Sequence, residues 1–343
     1  MSSKTVIDPD GDIVLQLPRE QPSEDGSDEK PTDSESQELV VSSKVLSLAS
    51  PVFKAMINGR FKEGVEIAET NGTSKPYVLV LPEDDEEAIL LLCKILHYYD
   101  VPKKPTTSCL EKLAIVCDKY QCTGAVKYCG GLWIRDWLRV YDSFDPSIDN
   151  LCRLLIFAYV IDLPYEFLGI AWKLFLFHKG PFTGTYTQSK MLVDHPLLHQ
   201  DVAKELDKKR FEYCQSFYRA IMDPLNREWK TLSEGCYCAA KAVGCYFDSL
   251  RSAKILPQDL GFEEHKFGDL IKKATNLPPI SATKYRCTKP SCECQSEPTE
   301  LLGEELYNEA CFIKHISKTF VCLHCLKAGG RSKDKEKCRM YHS

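Results

Sequence analysis

No stretch of this chain is both long and apolar enough to read as a membrane span. The greasiest, residues 151–177, is interrupted by Arg153, Asp162, Glu166 and Lys173, whereas a spanning helix needs about 20 predominantly apolar residues. It reads as a pair of core helices. Residues 1–11 are polar and lack the apolar core of a secretory leader, so none is expected there. An excess of positive charge is missing as well: 44 Lys and Arg stand against 49 Asp and Glu, a net charge of −5. Binding to nucleic acid calls for a basic face, so the expected partners are proteins, not nucleic acid or membrane. Motifs that announce chemistry are absent too. There is no phosphate-binding loop, dinucleotide glycine fingerprint, nucleophile elbow or paired-histidine protease motif, and no internal repeat. A non-enzymatic role is the expectation, with an enzyme of unknown chemistry ranked third among the readings.

What remains is an ordinary globular composition, 43% hydrophobic and 27% charged over 343 residues, long enough for two or three domains with their own cores. Cysteine is abundant, at 17 residues. Without a leader, that many thiols fit a reducing compartment, cytosol or nucleus, where they stay free or bind metal. Cys93, Cys117, Cys122 and Cys129 fall on apolar helix faces and read as small core residues.

Along the chain, residues 12–17 alternate as a strand and residues 18–38 form an acidic, Ser- and Pro-rich stretch. Such a stretch cannot bury enough surface to offset its ordering entropy, so it reads as a disordered insertion. Residues 39–64 give a short strand and two brief amphipathic helices carrying Val45, Leu48, Ala49, Val52, Phe53, Met56 and Ile57 at helical spacing. Ser50-Pro51 punctuates them, a cap residue followed by proline at the first helical position. Residues 77–81 are a buried-type strand closed by Pro82. The acidic residues 83–87 open a helix whose expected buried set is Ile89, Leu92, Ile95, Leu96 and Tyr99.

Ser108 and Glu111 have the spacing of a capping box for the next helix. Another helix is expected over 123–140, with Trp133 and Trp137 on one face. A helix, a turn at Leu163-Pro164 and a second helix follow over 145–178, then a loop over 181–196. From 198 to 227 a long mixed-charge helix should bury Val202, Leu206, Phe211, Cys214, Phe217, Ile221 and Leu225. Helices at 236–250, 268–275 and 304–318 complete the pattern.

The motif set resembles the BTB/POZ domain family, and most closely its fungal members. It comprises a first strand at 12–17; a V-L-x-x-x-S-P-x-F segment met by Val45, Leu46, Ser50, Pro51 and Phe53; a strand exit at Leu81-Pro82; and an A-x-K-Y helix close to residues 110–122. The resemblance covers about the first third of the chain. It implies an α+β BTB domain over 11–140 with the 18–38 insertion, a helix pair at 145–178 similar to a post-BTB helical box, and an all-helical region over 198–343 with a cysteine-rich tail. It also implies a protein-interaction adaptor, and two family uses are relevant. In cullin-binding members a hydrophobic-x-Glu motif follows the helical hairpin, and Phe61, Lys62 and Glu63 fall at that place. A substrate adaptor for a cullin ubiquitin ligase is therefore the leading reading. Recruiting members instead pair a first-strand Asp with a basic residue at the next helix. Asp12 matches, but Ser43 stands where the base belongs. Self-association or a transcription-related scaffold without cullin is the alternative, with weak self-association at most, because family dimers exchange an extra N-terminal strand and helix.

One constellation has metal-ligand spacing. Cys292 and Cys294, with Cys322 and Cys325, could supply four thiolates to a structural zinc ion, with Cys287 able to replace one of them. Cys311, His315, His324 and Cys338 offer alternative ligands, and plain core cysteines are the competing reading. Isolated histidines, among them His97 and His178, read as surface or satisfied core residues.

Overall fold

The structure is a computed structural model. It describes residues 3–18, 36–58, 66, 76–184, 187–232, 237–256, 265–278, 280–281, 301–315, 320–329 and 338. The chain is mixed α+β, predominantly helical with a small four-stranded sheet. It divides into two compact units: Met1–Phe144 with Arg153–Phe167, and Asp145–Cys152 with Leu168–Ser343. The division runs through the helix pair expected at 145–178 and not around it.

The first unit is built on strands β1 (Ser3–Val6), β2 (Ile13–Pro18), β3 (Ser36–Val41) and β4 (Tyr77–Val80), in the order β1-β3-β2-β4. β2 and β3 are antiparallel; β1 runs parallel to β3, and β4 parallel to β2. Register places Leu39, Leu15 and Leu79 in one row across three strands, and all three are buried. Since side chains alternate along a strand, that row fixes which face meets the core. Helices α1 (Ser43–Ala49) and α2 (Pro51–Asn58) follow β3 directly, broken at Ser50 as the Ser-Pro punctuation predicts.

After β4 comes α3 (Glu86–Leu96), whose N-terminus is capped by Asp85, accepting the Ala88 N–H at 3.0 Å. Its buried set is Ala88, Ile89, Leu91, Leu92, Cys93 and Leu96. Tyr99 does not belong to it: the helix ends at Leu96, Tyr98 turns to φ +54°, and Tyr99 is exposed. Helix α4 (Thr107–Lys119) starts before the predicted capping box. Thr106, itself extended at ψ 155°, caps it by accepting the Cys109 N–H at 3.0 Å. On α5 (Thr123–Ser143), Trp133 and Trp137 do share a face, and each indole N–H has a carbonyl partner, Pro102 at 3.1 Å and Pro105 at 3.0 Å.

Two helices, α6 (Ile148–Ile161) and α7 (Pro164–Phe177), flank a turn in which Asp162 adopts φ +62°. In the second unit the stretch expected as loop contains a short helix, α8 (Lys190–Asp194). The long helix α9 (Asp201–Leu232) buries the expected residues except Phe211, which is 62% exposed. Arg210 takes the inward position. Its guanidinium donates to the Phe175 carbonyl at 3.1 Å and the His265 carbonyl at 2.6 Å, so a cation completes a stripe that hydrophobicity alone assigned to its neighbour. Helices α10 (Tyr237–Ser252), α11 (Phe267–Thr275) and α12 (Glu304–His315) follow, with α12 packed against α9 and α11. This region is not all-helical. Strands β5 (Ile280–Ser281) and β6 (Leu301–Leu302) pair antiparallel, and two-residue strands are too short to show an alternating pattern. The last helix, α13, is Leu323–Lys327.

Candidate functional site

The sequence motifs of the first unit converge on Tyr120. The Ser50 hydroxyl accepts the Phe53 N–H at 3.0 Å and donates to the Tyr120 carbonyl at 2.6 Å. The ring of Phe53 stacks on that of Tyr120 with centroids 4.1 Å apart and planes 4° from parallel. Asp84, two residues past Pro82, accepts the Tyr120 hydroxyl at 2.6 Å and the Lys119 ammonium at 2.9 Å. Burial first, then the Asp84 hydrogen bond and charge, push the Tyr120 phenol well above its ordinary range, so it stays a donor. Segments 70 residues apart in sequence are thus tied by one serine. Nearby, burial pushes the Cys93 thiol up to about 12, and the hydrogen bond to Cys122, then burial, raises buried Cys117 well above its ordinary value, the environment of inert core cysteines.

Asp12 and Ser43, the expected pocket pair, are in direct contact. The Asp12 carboxylate accepts the Ser43 N–H at 2.7 Å and the Ser43 hydroxyl at 2.6 Å. Next to it, the Ser42 N–H donates to His97 Nε2 at 3.0 Å, and His97 Nδ1 lies 2.8 Å from the Cys93 carbonyl. A carbonyl can only accept, so the hydrogen is on Nδ1 and Nε2 is the acceptor. Together these groups satisfy the exposed N–H groups at the start of α1. The Asp12 carboxylate is a helix cap here. Phe61, Lys62 and Glu63 lie outside the described residues.

Of the cysteines with ligand spacing, Cys322 and Cys325 come together with Cys338. Cys338 Sγ lies 3.5 Å from Cys322 Sγ and 3.8 Å from Cys325 Sγ, and all three sulfurs fall within 4.8 Å of one another. Tetrahedral bonds of about 2.3 Å give sulfur–sulfur edges of about 3.8 Å, so the two edges that meet at Cys338 already have the dimensions of a thiolate site. α13 positions two of the sulfurs. Cys322 is its N-cap and Cys325 lies in its first turn. Cys325 is buried, as are Val321 and Leu323, while Cys322 and Cys338 are half-buried. As a neutral thiol Cys322 is pushed up to about 12, chiefly by burial and further by the neighbouring thiols. A coordinated dication deprotonates such thiols outright.

Cys287, Cys292 and Cys294 lie outside the described residues. Among the described residues, His324, His315 and Cys311 do not join the sulfur group. Cys338 was legible only as one of several alternatives, because it is 13 residues past Cys325 and carries no short-turn spacing.

No model of a known protein family matches this chain, and neither does any curated protein. Among the described residues no helix is long and apolar enough to cross a membrane.

Proposed function

We propose that this chain is a non-enzymatic protein-interaction adaptor built on a BTB/POZ domain, and that it presents substrates to a cullin ubiquitin ligase. The observation that carries the reading is the meeting of the S-P-x-F, L-P and K-Y segments in one buried cluster through Ser50, Phe53, Asp84 and Tyr120. Motifs that merely occurred by chance would have no reason to share hydrogen bonds across 70 residues. Histidine placement favours binding over catalysis. Both ring nitrogens of His97 and of His178 face structural partners, which leaves neither arranged as a general base. The Asp12 carboxylate, spent on capping α1, argues against the charged recruiting pocket of the transcriptional members.

The test is affinity capture of the full chain with a purified cullin N-terminal domain as prey. Binding is expected, and Phe61→Ala combined with Glu63→Ala should weaken it by about 2 kcal/mol or more, roughly 30-fold, as anchors at an interface centre do. Failure to bind, with a stable homo-oligomer by light scattering, would transfer the reading to a self-associating scaffold.

For the cysteine triad the fitting metal is zinc. Soft thiolates at tetrahedral edge lengths suit a d10 dication with no redox role. A closed structural site needs a fourth donor, for which Cys287, Cys292 and Cys294 are the sequence candidates. Purified protein should carry about one equivalent of zinc through dialysis, given binding energies of about 10–16 kcal/mol for structural sites.

A further inference from the structure

Phe320 stands two residues before Cys322 and is 1% exposed. Its ring sits in an aromatic cluster: edge-on to Trp172 at 5.5 Å, against Phe175 at 4.9 Å and stacked with Tyr213 at 5.8 Å. Phe175 extends the cluster to Phe267 on α11 at 4.8 Å. The core of the second unit therefore depends on a short segment, residues 320–329, staying in place. That segment is held by the burial of Phe320, Val321, Leu323 and Cys325, and its own secondary structure adds little to this. Its helix has five residues, far below the length at which a helix is stable alone, and the N-cap Cys322 makes no side-chain capping bond. The segment also carries two of the three clustered sulfurs, and the third, Cys338, stands 13 residues past Cys325. Holding Cys338 beside Cys322 and Cys325 costs chain entropy that sulfur–sulfur contact between neutral thiols cannot offset, whereas metal coordination can.

We propose that a zinc ion held by Cys322, Cys325 and Cys338 is the clamp that seats Phe320 against Trp172, so that the aromatic packing of the second unit depends on the metal. This rests on the zinc reading above and adds a structural consequence to it. Coordination ties Cys338 to Cys322 and Cys325, fixes the turn between those two, and thereby sets the direction in which the chain delivers Phe320.

The experiment uses the full chain, with zinc counted by elemental analysis before and after treatment with a chelator under reducing conditions. Two signals report on Phe320: quenching of tryptophan fluorescence by acrylamide, with Trp172→Phe identifying the Trp172 share, and mass-spectrometric detection of chymotrypsin cleavage after Phe320. Removing zinc should raise Trp172 quenching at least about twofold and open the Phe320 site to cleavage, and adding zinc back should reverse both. Cys338→Ser should shift the protein toward the stripped state, whereas Cys311→Ser, outside the triad, should not. If Trp172→Phe does not fold, the cleavage assay on the unmodified protein decides. Zinc bound and removed with Trp172 and Phe320 still protected would overturn the clamp and leave the zinc site standing. Protein that binds no zinc would overturn both. Zinc binding by Cys338→Ser equal to that of the unmodified chain would remove Cys338 from the site and with it the clamp.

Discussion

Acidification should destabilise the second unit through His178. The ring is fully buried at the end of α7, stacked on Phe182 with centroids 4.3 Å apart. Nδ1 faces the Gly180 carbonyl at 3.1 Å and Nε2 faces the Thr187 hydroxyl at 3.4 Å. Burial, then the charge of Arg210, lowers its pKa from 6.5 to about 4, against smaller opposing effects of the Gly180 carbonyl and Asp207. As the pH falls, the unfolded chain therefore takes up this proton before the folded one does. Stability is complete above about pH 6.5 and declines as the pH drops toward about 4, at up to roughly 1.4 kcal/mol per pH unit. With those two values the folded state loses about 2 kcal/mol between about pH 8 and pH 5 from this residue alone.

Carboxylates also titrate over that range, so the comparison is with His178→Asn, whose amide keeps an N–H toward Gly180 but cannot titrate. The variant loses the ring contact with Phe182, which is independent of pH. The stability difference between the two proteins, from denaturant unfolding followed by circular dichroism, should therefore narrow by about 2 kcal/mol from about pH 8 to pH 5. NMR of the imidazole Hε1 gives the same quantity directly. A His178 resonance titrating near its ordinary pKa, or parallel pH profiles for the two proteins, would refute the reasoning.

Ser50→Ala removes both the cap on Phe53 and the bond to Tyr120. With a buried carbonyl and N–H left without partners, it should cost about 2 kcal/mol, read as a fall of about 4–8 °C in the melting temperature of the first unit. Gly130→Ala should destabilise even though alanine is the better helix former. Its Cβ would come within 3.0 Å of two carbons of the Phe157 ring, which is buried and cannot move aside, so an overpacking cost of about 1–3 kcal/mol outweighs a propensity gain of about 1 kcal/mol. Gly124→Ala, which meets nothing within 4 Å, should be neutral or stabilising in the same thermal melt.

Local rules made most elements legible. The Ser50-Pro51 break, the strand at 77–80 and the shared face of Trp133 and Trp137 each depend on residues a few positions apart, and each was readable from them. Some misses came from a distant partner overriding a local preference, others from a local break in the helix. Phe211 looked like the apolar choice on α9, but Arg210 is inside because the carbonyls of Phe175 and His265 meet its guanidinium. Tyr99 fitted the helical period, yet the chain leaves the helix at Tyr98.

The candidate sites divide in the same way. Sequence determined that Cys322 and Cys325 would share one turn, since spacing along the chain sets it; the nearness of Asp12 to the start of α1, 31 residues on, was expected only from the family resemblance. Tertiary structure decided that the Asp12 carboxylate caps a helix instead of facing a base. It also decided that Ser50 would bind Tyr120 and that Cys338 would be the third sulfur beside Cys322 and Cys325. The reason is that ligand geometry and hydrogen-bond partnership are set by distances in space. Spacing along the chain fixes those distances only within a turn or two of regular structure.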